Sequence, residues 1–166
     1  MTGSTAIGGS SSVRKMIEIS THTQITLRQF DFGRDFAAAR DLWERSGPGI
    51  HLGPSDAPDE IRKKLSRDPE LFLVAVADGR LIGTVIGGFD GRRGIVYHLA
   101  VEPDYRQQGV GTALMDELER RLRALGCIRA YLMVVDGQEE VCRYYEARGW
   151  GRMTIITYGK NLTGLL

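Results

Sequence analysis

Apolar and polar residues repeat along the first part of the chain in two periods, and each period predicts a type of element. Residues 24–29 alternate apolar and polar side chains, which predicts a first strand. Residues 34–45 place apolar side chains every three or four positions, which predicts an amphipathic helix. A loop rich in glycine and proline follows over 47–54.

The next segments predict a short helix and a β-hairpin. Asp56 and Asp59 form a weak capping pair before a helix that runs from Pro58 to about Arg67. Two apolar runs then flank a turn with the strongest hairpin signal in the chain. The runs are 71–77 and 81–89, the turn is Asp78-Gly79, and the glycines that indicate bends or a bulge are Gly83, Gly87 and Gly88.

The remaining pattern completes a mixed α and β architecture. A strand is predicted over 95–101, and the clearest helix begins at Gly109 and stops at Gly126. A strand over 129–135, a helix over 138–148 and a last strand over 153–158 follow. The order β-α-α-β-β-β-α-β-α-β predicts an α+β fold with a mixed sheet flanked by about four helices.

The first fifteen residues have a different composition from the rest. Gly, Ser and Thr dominate residues 1–15, which leaves too little apolar surface to offset the entropy of ordering. We expect a disordered leader foreign to the native chain, with a native start at Met16. Residues 16–166 then form a single domain.

Composition and charge narrow the function classes. The net charge of +1 lacks the basic excess that is typical of nucleic-acid-binding proteins. Two cysteines and three scattered histidines indicate neither a disulfide framework nor a metal site. No apolar run reaches the length of about 18 residues that a membrane span needs. We therefore expect a cytoplasmic protein, monomeric or homodimeric, that uses no metal, membrane or nucleic acid.

The loop before the clearest helix carries the candidate chemistry. A helix start presents unpaired N–H groups and the positive end of the helix dipole. Glycines at Gly109 and Gly111 allow a phosphate to approach the backbone, so residues 107–111 predict an anion cradle. A tight turn with a glycine cap is the alternative explanation. The spacings typical of P-loops and of dinucleotide-binding folds are absent.

Two motifs make the chain resemble the GNAT superfamily of N-acetyltransferases. Arg106-x-x-Gly109-x-Gly111 is similar to the family's R/Q-x-x-G-x-G/A signature, and Leu99-Ala100-Val101-x-Pro103 precedes it as in the family. The stretch 145–150, Tyr-Glu-Ala-Arg-Gly-Trp, resembles a second motif near the C-terminus. Three further stretches resemble the small YpeA-type subgroup: 43–45, 71–75 and 87–91.

The resemblance implies an acetyl-CoA site and a transfer reaction. The pyrophosphate would lie on the loop, the pantetheine arm would pair with the strand end, and the Val101 N–H would stabilise the oxyanion. Tyr145 would protonate the departing thiolate. The residues expected to bind the cofactor are Leu99, Ala100, Val101, Arg106, Gln107, Gln108, Gly109, Val110, Gly111, Thr112 and Gln138.

Several of these side chains also have plain structural explanations. Tyr145 is also typical of an amphipathic helix core, although the motif favours a functional tyrosine, and Arg106 is also typical of a solvated surface. His98 is a possible base, but strand alternation favours the face opposite to the one that carries Ile95 and Tyr97. Trp43 is expected in the core, and the 47–54 loop is the better candidate for acceptor contact.

Departures from the family pattern affect the acceptor. Ile95 and Met133 stand where family members carry a glutamate base, and Gln138 replaces a frequent asparagine. We therefore expect an acceptor with a low-pKa amine, a small molecule or a peptide N-terminus, with Glu102, Asp136 or His98 as a remote base. A catalytically silent acyl-CoA-binding module is the alternative function. A different nucleotide-binding domain is a weaker one.

Overall fold

A computed structural model describes residues 15–18 and 24–162. The chain divides into two compact units, one up to Met133 and the other from Val134 onward. The predicted fold class, α+β with a mixed sheet and four helices, is confirmed. The predicted leader lies outside the described residues apart from Lys15, which begins a strand. No helix in the described ranges is long and apolar enough to cross a membrane.

The first unit holds a six-stranded sheet whose strands follow the order of the chain. All neighbours are antiparallel except the last pair, which is parallel. Its strands are β1 Lys15–Glu18, β2 Gln24–Gln29, β3 Phe72–Ala77, β4 Arg80–Phe89, β5 Gly94–Val101 and β6 Ala130–Leu132. Its helices are α1 Phe32–Arg45, α2 Pro58–Arg67 and α3 Val110–Ala124, and the second unit holds α4 Glu139–Glu146.

Helices pack on both faces of this sheet. On one face α1 and α2 bury Trp43 and Ile61 against Phe72, Ile86 and Ala100. On the other face α3 lies so close that a Cβ on Gly87 would come within 2.5 Å of the Leu118 side chain. Gly83 and Gly87 of β4 therefore serve close helix packing, whereas a Cβ on Gly88 would meet Ile95 of the neighbouring strand.

Two strand irregularities accompany the sheet. The Asp78-Gly79 hairpin is confirmed, and both residues adopt the positive φ that a type I′ turn requires (48° and 77°). Between β4 and β5 the register shifts, because Thr84 pairs with Ala100 whereas Ile86 pairs with Tyr97. One extra residue therefore lies in β5, which is a β-bulge.

Three local expectations differ from the structure. Residues 153–158 form no strand, although Ile155 and Ile156 favour one, because they pair with no neighbour and stay 65% and 81% exposed. Asp56 does not cap α2, whose N-cap residue is Ala57. A short strand, β1, was not expected and pairs with β2.

A buried ion cluster on α3 carries a testable contribution to stability. Glu117 is 3% exposed and accepts hydrogen bonds from Arg120 and Arg121 at 2.8 Å. These bonds, led by the one from Arg120, lower the pKa of Glu117 to about 2 against the opposing effect of burial. Because the folded-state pKa is depressed, this stabilisation is present above about pH 4.5 and is lost as the pH falls toward 2.

Replacing Glu117 with glutamine should lower the free energy of unfolding at pH 7 by about 2 kcal/mol, since charge-assisted hydrogen bonds are lost. The deficit should shrink below about pH 4.5, by at most about 1.4 kcal/mol per unit. Urea unfolding at pH 7 and at low pH measures both quantities. Glu119→Gln, in the exposed pair with Arg123, should cost less than about 1 kcal/mol. A deficit for Glu117→Gln that does not change with pH would contradict the assignment.

Candidate functional site

The start of α3 has the geometry of an anion cradle. Gly109 is the N-cap residue with φ of 86°, and the first helical bond runs from the Ala113 N–H to the Gly109 carbonyl at 2.9 Å. The N–H groups of Val110, Gly111 and Thr112 precede that bond and have no partner within the helix. The first turn contains no acidic residue. These groups together favour a negatively charged ligand.

The space above the cradle is open. A Cβ placed on Gly109 would meet no atom within 4 Å, so glycine is required there by the positive φ and not by crowding. Gln107 also has a positive φ of 57°. Residues of this conformation turn successive N–H groups toward one point, as in anion-binding nests. The loop can therefore receive a phosphate without a change in its backbone.

Side chains hold this loop against the end of β5. The Arg106 Nε donates to the Val101 carbonyl at 3.0 Å, and the Gln108 amide donates to the Asp104 carbonyl at 2.6 Å. Arg106 thus fixes the loop with one nitrogen. Among the described residues no hydrogen bond occupies its two terminal nitrogens, so they stay free to meet a phosphate.

The end of β5 presents an open strand edge beside the cradle. The Glu102 N–H donates to the Ile82 carbonyl at 2.9 Å, so these two residues form a hydrogen-bonded pair of the antiparallel ladder. Hydrogen-bonded and non-hydrogen-bonded pairs alternate, so the adjacent pair of Val101 and Gly83 is not hydrogen-bonded. Val101, opposite Gly83, therefore directs its N–H and carbonyl away from β4. On that side β6 pairs with β5 only at 94–96. In the described part of the chain no strand pairs with this edge of β5 after Val96.

The bulge in β5 places a polar cluster on the α1 face of the sheet. His98 has a φ of 46°, and its ring meets the Trp43 ring edge-on at 4.9 Å. The Trp43 Nε1 donates to the Thr84 hydroxyl at 2.8 Å, and that hydroxyl donates to the His98 carbonyl at 3.0 Å. The His98 Nε2 lies 2.7 Å from the Asp56 Oδ1.

This cluster overturns the expectation for His98. Thr84, Ile86 and Ala100 share the face that packs on Trp43, and Tyr97 pairs with Ile86 on that same face. The extra residue breaks the alternation, so His98 also points to this face. The sequence contains no signal for the contact between His98 and Asp56, because these residues lie 42 positions apart.

The other candidate bases differ in what surrounds them. Glu102 is tied to Arg45 by bonds of 2.8 and 3.1 Å, and this hydrogen bonding lowers the pKa of Glu102. A carboxylate with a lowered pKa is a weaker base, which disfavours Glu102 as the remote base. Ile95 and Met133, at the two expected base positions, supply no titratable group.

The second unit carries the two remaining predicted site residues on α4. Gln138 is the N-cap residue of this helix, and its N–H donates to the Val135 carbonyl at 3.3 Å. Tyr145 lies near the other end, with its ring edge-on to Tyr144 at 5.1 Å and to Trp150 at 6.1 Å. Burial raises the pKa of Tyr145, so the phenol stays protonated at neutral pH. No hydrogen bond among the described residues engages its hydroxyl.

Comparisons with known proteins place the chain among acetyltransferases. The model of the acetyltransferase (GNAT) family matches residues 35–150. An acetyltransferase of Pectobacterium atrosepticum is 43% identical over 129 residues, which covers 77% of this chain and 89% of that protein. Among solved structures, the NatC complex bound to Gag peptide and CoA is similar, with a TM-score of 0.68 and 23% identity over 78% of this chain and 86% of that chain. An aminoglycoside N-acetyltransferase in complex with CoA has a TM-score of 0.66 and 17% identity over 87% and 99%.

Proposed function

The chain belongs to the GNAT acetyltransferase family, and on that premise we propose that it transfers the acetyl group of acetyl-CoA directly to a low-pKa amine. The observation that carries the proposal is the open helix start beside an uncovered strand edge. The helix start suits an anion, and the strand edge suits pairing with an extended chain that carries amide groups. Membership of the family supports an acyltransferase enzyme over the catalytically silent binding module.

The residues of the first unit suit the parts of acetyl-CoA. The pyrophosphate lies on the backbone of 107–111 beside Thr112, with the free nitrogens of Arg106 near its charge. The pantetheine amides pair with the backbone of 99–101, where Val101 directs its N–H outward. Gln138 is assigned to the cofactor by its place in the family pattern alone.

Acetyl-CoA supplies an activated thioester, and the chain supplies the groups that act on it. The Val101 N–H donates to the carbonyl oxygen as negative charge develops there. Tyr145 gives a proton to the departing sulfur, which its protonated state at neutral pH permits. Residues 47–54 contact the acceptor, since loops over a rigid sheet carry variable specificity.

The nature of the acceptor follows from proton chemistry. Only a neutral amine attacks a thioester, and a lysine side chain with a pKa of about 10.4 is about 0.1% neutral near pH 7.5. An α-amine with a pKa of about 7.7 to 8.0 is roughly one third neutral. This difference, a factor of several hundred, favours a peptide N-terminus or a small α-amine when Ile95 and Met133 supply no carboxylate. One solved structure of similar fold binds a peptide and another is an aminoglycoside N-acetyltransferase, which supports an amine acceptor for this chain.

Two acceptors that differ only in the free amine test this proposal. One peptide has a free α-amine and an acetylated lysine, and the other has an acetylated N-terminus and a free lysine. The α-amine peptide should be acetylated at least about 100 times faster at neutral pH, as the neutral fractions require. Release of CoA and the mass of the peptide give the two rates. Faster acetylation of the lysine peptide would contradict the choice of acceptor.

A further inference from the structure

The bulge in β5 is the starting point. Among the described residues three non-glycine positions have a positive φ, namely Asp78 in the hairpin, Gln107 in the cradle and His98. The first two have clear roles in turns. His98 occupies such a conformation inside a strand, which is unfavourable for a residue with a Cβ unless neighbours hold it. Thr84 holds it through the bond to its carbonyl.

The side chain that this backbone presents is oriented by a carboxylate. The Asp56 Oδ2 accepts the Gly53 N–H at 2.8 Å, and its Oδ1 lies 2.7 Å from the His98 Nε2. The two side chains are 12% and 16% exposed, so solvent screens the contact little. An ionised carboxylate only accepts, so Nε2 carries a hydrogen, and in the neutral imidazole the lone pair then lies on Nδ1. No hydrogen bond reaches Nδ1 in the described part of the chain.

The pair of His98 and Asp56, called the dyad, lies next to the segments proposed to bind each of the two substrates. Asp56 follows the 47–54 loop directly, and His98 lies three residues before Val101 in the same strand. Three strand residues span about 10 Å. We infer that His98, oriented by Asp56, is the general base that accepts the proton of the acceptor amine. This inference rests on the proposed function and supplies the base that Ile95 and Met133 do not.

The chemistry balances without a further reactant. The acceptor ammonium gives one proton to Nδ1, and the neutral amine attacks the thioester carbon. The C–N bond forms, the C–S bond breaks, and the sulfur leaves with its electron pair and takes a proton from Tyr145. The nitrogen loses its second proton to solvent as the amide forms, Tyr145 regains a proton from solvent, and His98 releases the proton that it accepted. Both residues return to their starting states, and each turnover releases one proton overall.

The choice of base also agrees with the choice of acceptor. An α-ammonium has a pKa about 2.5 units below that of a lysine ε-ammonium, so a side-chain base deprotonates the α-amine more readily. Of the charged groups that the structure describes around His98, only Asp56 contacts its ring. Glu44, Arg45 and Glu102 are engaged in ion pairs with other residues, and Tyr97 stays neutral because burial raises its pKa.

The test uses the full chain with three substitutions. His98→Asn is compatible with a positive φ and removes the imidazole base. Its turnover of the α-amine peptide should fall about 100-fold, the usual contribution of a general base, with acetyl-CoA affinity unchanged. Added free imidazole should restore part of the rate. Asp56→Asn should show an intermediate loss, and Asp59→Asn, which alters an exposed aspartate of α2 instead, should show none.

The outcomes distinguish failure of the His98–Asp56 dyad from failure of the proposed function. A His98→Asn variant with at least a third of the wild-type turnover, or a loss that imidazole does not restore, overturns the dyad while the proposed function stands. A wild-type protein that binds acetyl-CoA but acetylates neither peptide overturns the proposed function, and the dyad falls with it. Calorimetric titration with acetyl-CoA accompanies each rate and shows that the variants are folded.

Discussion

Replacing Tyr145 with phenylalanine should lower the turnover number about 100-fold and leave acetyl-CoA affinity unchanged. The phenol donates its proton only as the C–S bond breaks, so its loss raises the barrier without weakening the ground-state complex. The ring remains, and with it the edge-on packing against Tyr144 and Trp150. Steady-state kinetics and calorimetry separate the two effects.

The neighbouring tyrosine offers a matched control. Tyr144→Phe removes a hydroxyl from the next residue of α4, and it should leave turnover within about threefold of the wild type. Burial raises the pKa of Tyr145, so the wild-type rate should show no loss of the acid form below pH 10. Equal turnover of Tyr145→Phe and the wild type would leave Tyr145 with a packing role.

Replacing Gly109 with leucine should weaken acetyl-CoA binding at least about 100-fold, or about 2.7 kcal/mol. The space where this side chain would lie is open in the fold, and the proposed pyrophosphate occupies it. The leucine fills that space and separates the phosphate oxygens from the N–H groups of 110–112. Calorimetric titration with acetyl-CoA measures the loss.

A second glycine at the other end of α3 separates this effect from backbone strain. Gly126 has a φ of 82°, close to the 86° of Gly109, and a Cβ there also meets nothing within 4 Å. Gly126→Leu should therefore lose a similar amount of stability, about 1–2 kcal/mol, and keep its acetyl-CoA affinity. Similar affinities for the two variants would remove the cradle from the binding site.

Patterns local in sequence predicted much of this fold. The strand over 24–29, the Asp78-Gly79 hairpin and the helix that follows Gly109 depend on nearby residues, and each was located within about two positions. The left-handed φ of Gly109 and the unpaired N–H groups after it follow from the same local rules. The anion cradle was therefore accessible from sequence.

Features that depend on residues distant in the chain could not be predicted from the sequence. The β5 bulge arises from the register between β4 and β5, and strand alternation alone assigned His98 to the wrong face. The contact of His98 with Asp56 joins a strand to a loop far away in the chain. Residues 153–158 have the composition of a strand but pair with no neighbour, which composition alone does not reveal.

The most direct test of the account is a stoichiometry. The wild-type protein is incubated with acetyl-CoA and a peptide whose only free amine is its N-terminus, and free CoA and acetylated peptide are quantified together. The account predicts one acetylated N-terminus for each CoA released. Both signals should form about 100 times more slowly in Tyr145→Phe, and also in Gly109→Leu when acetyl-CoA is well below saturation. Release of CoA without acetylated peptide, or no release with any amine, would contradict it.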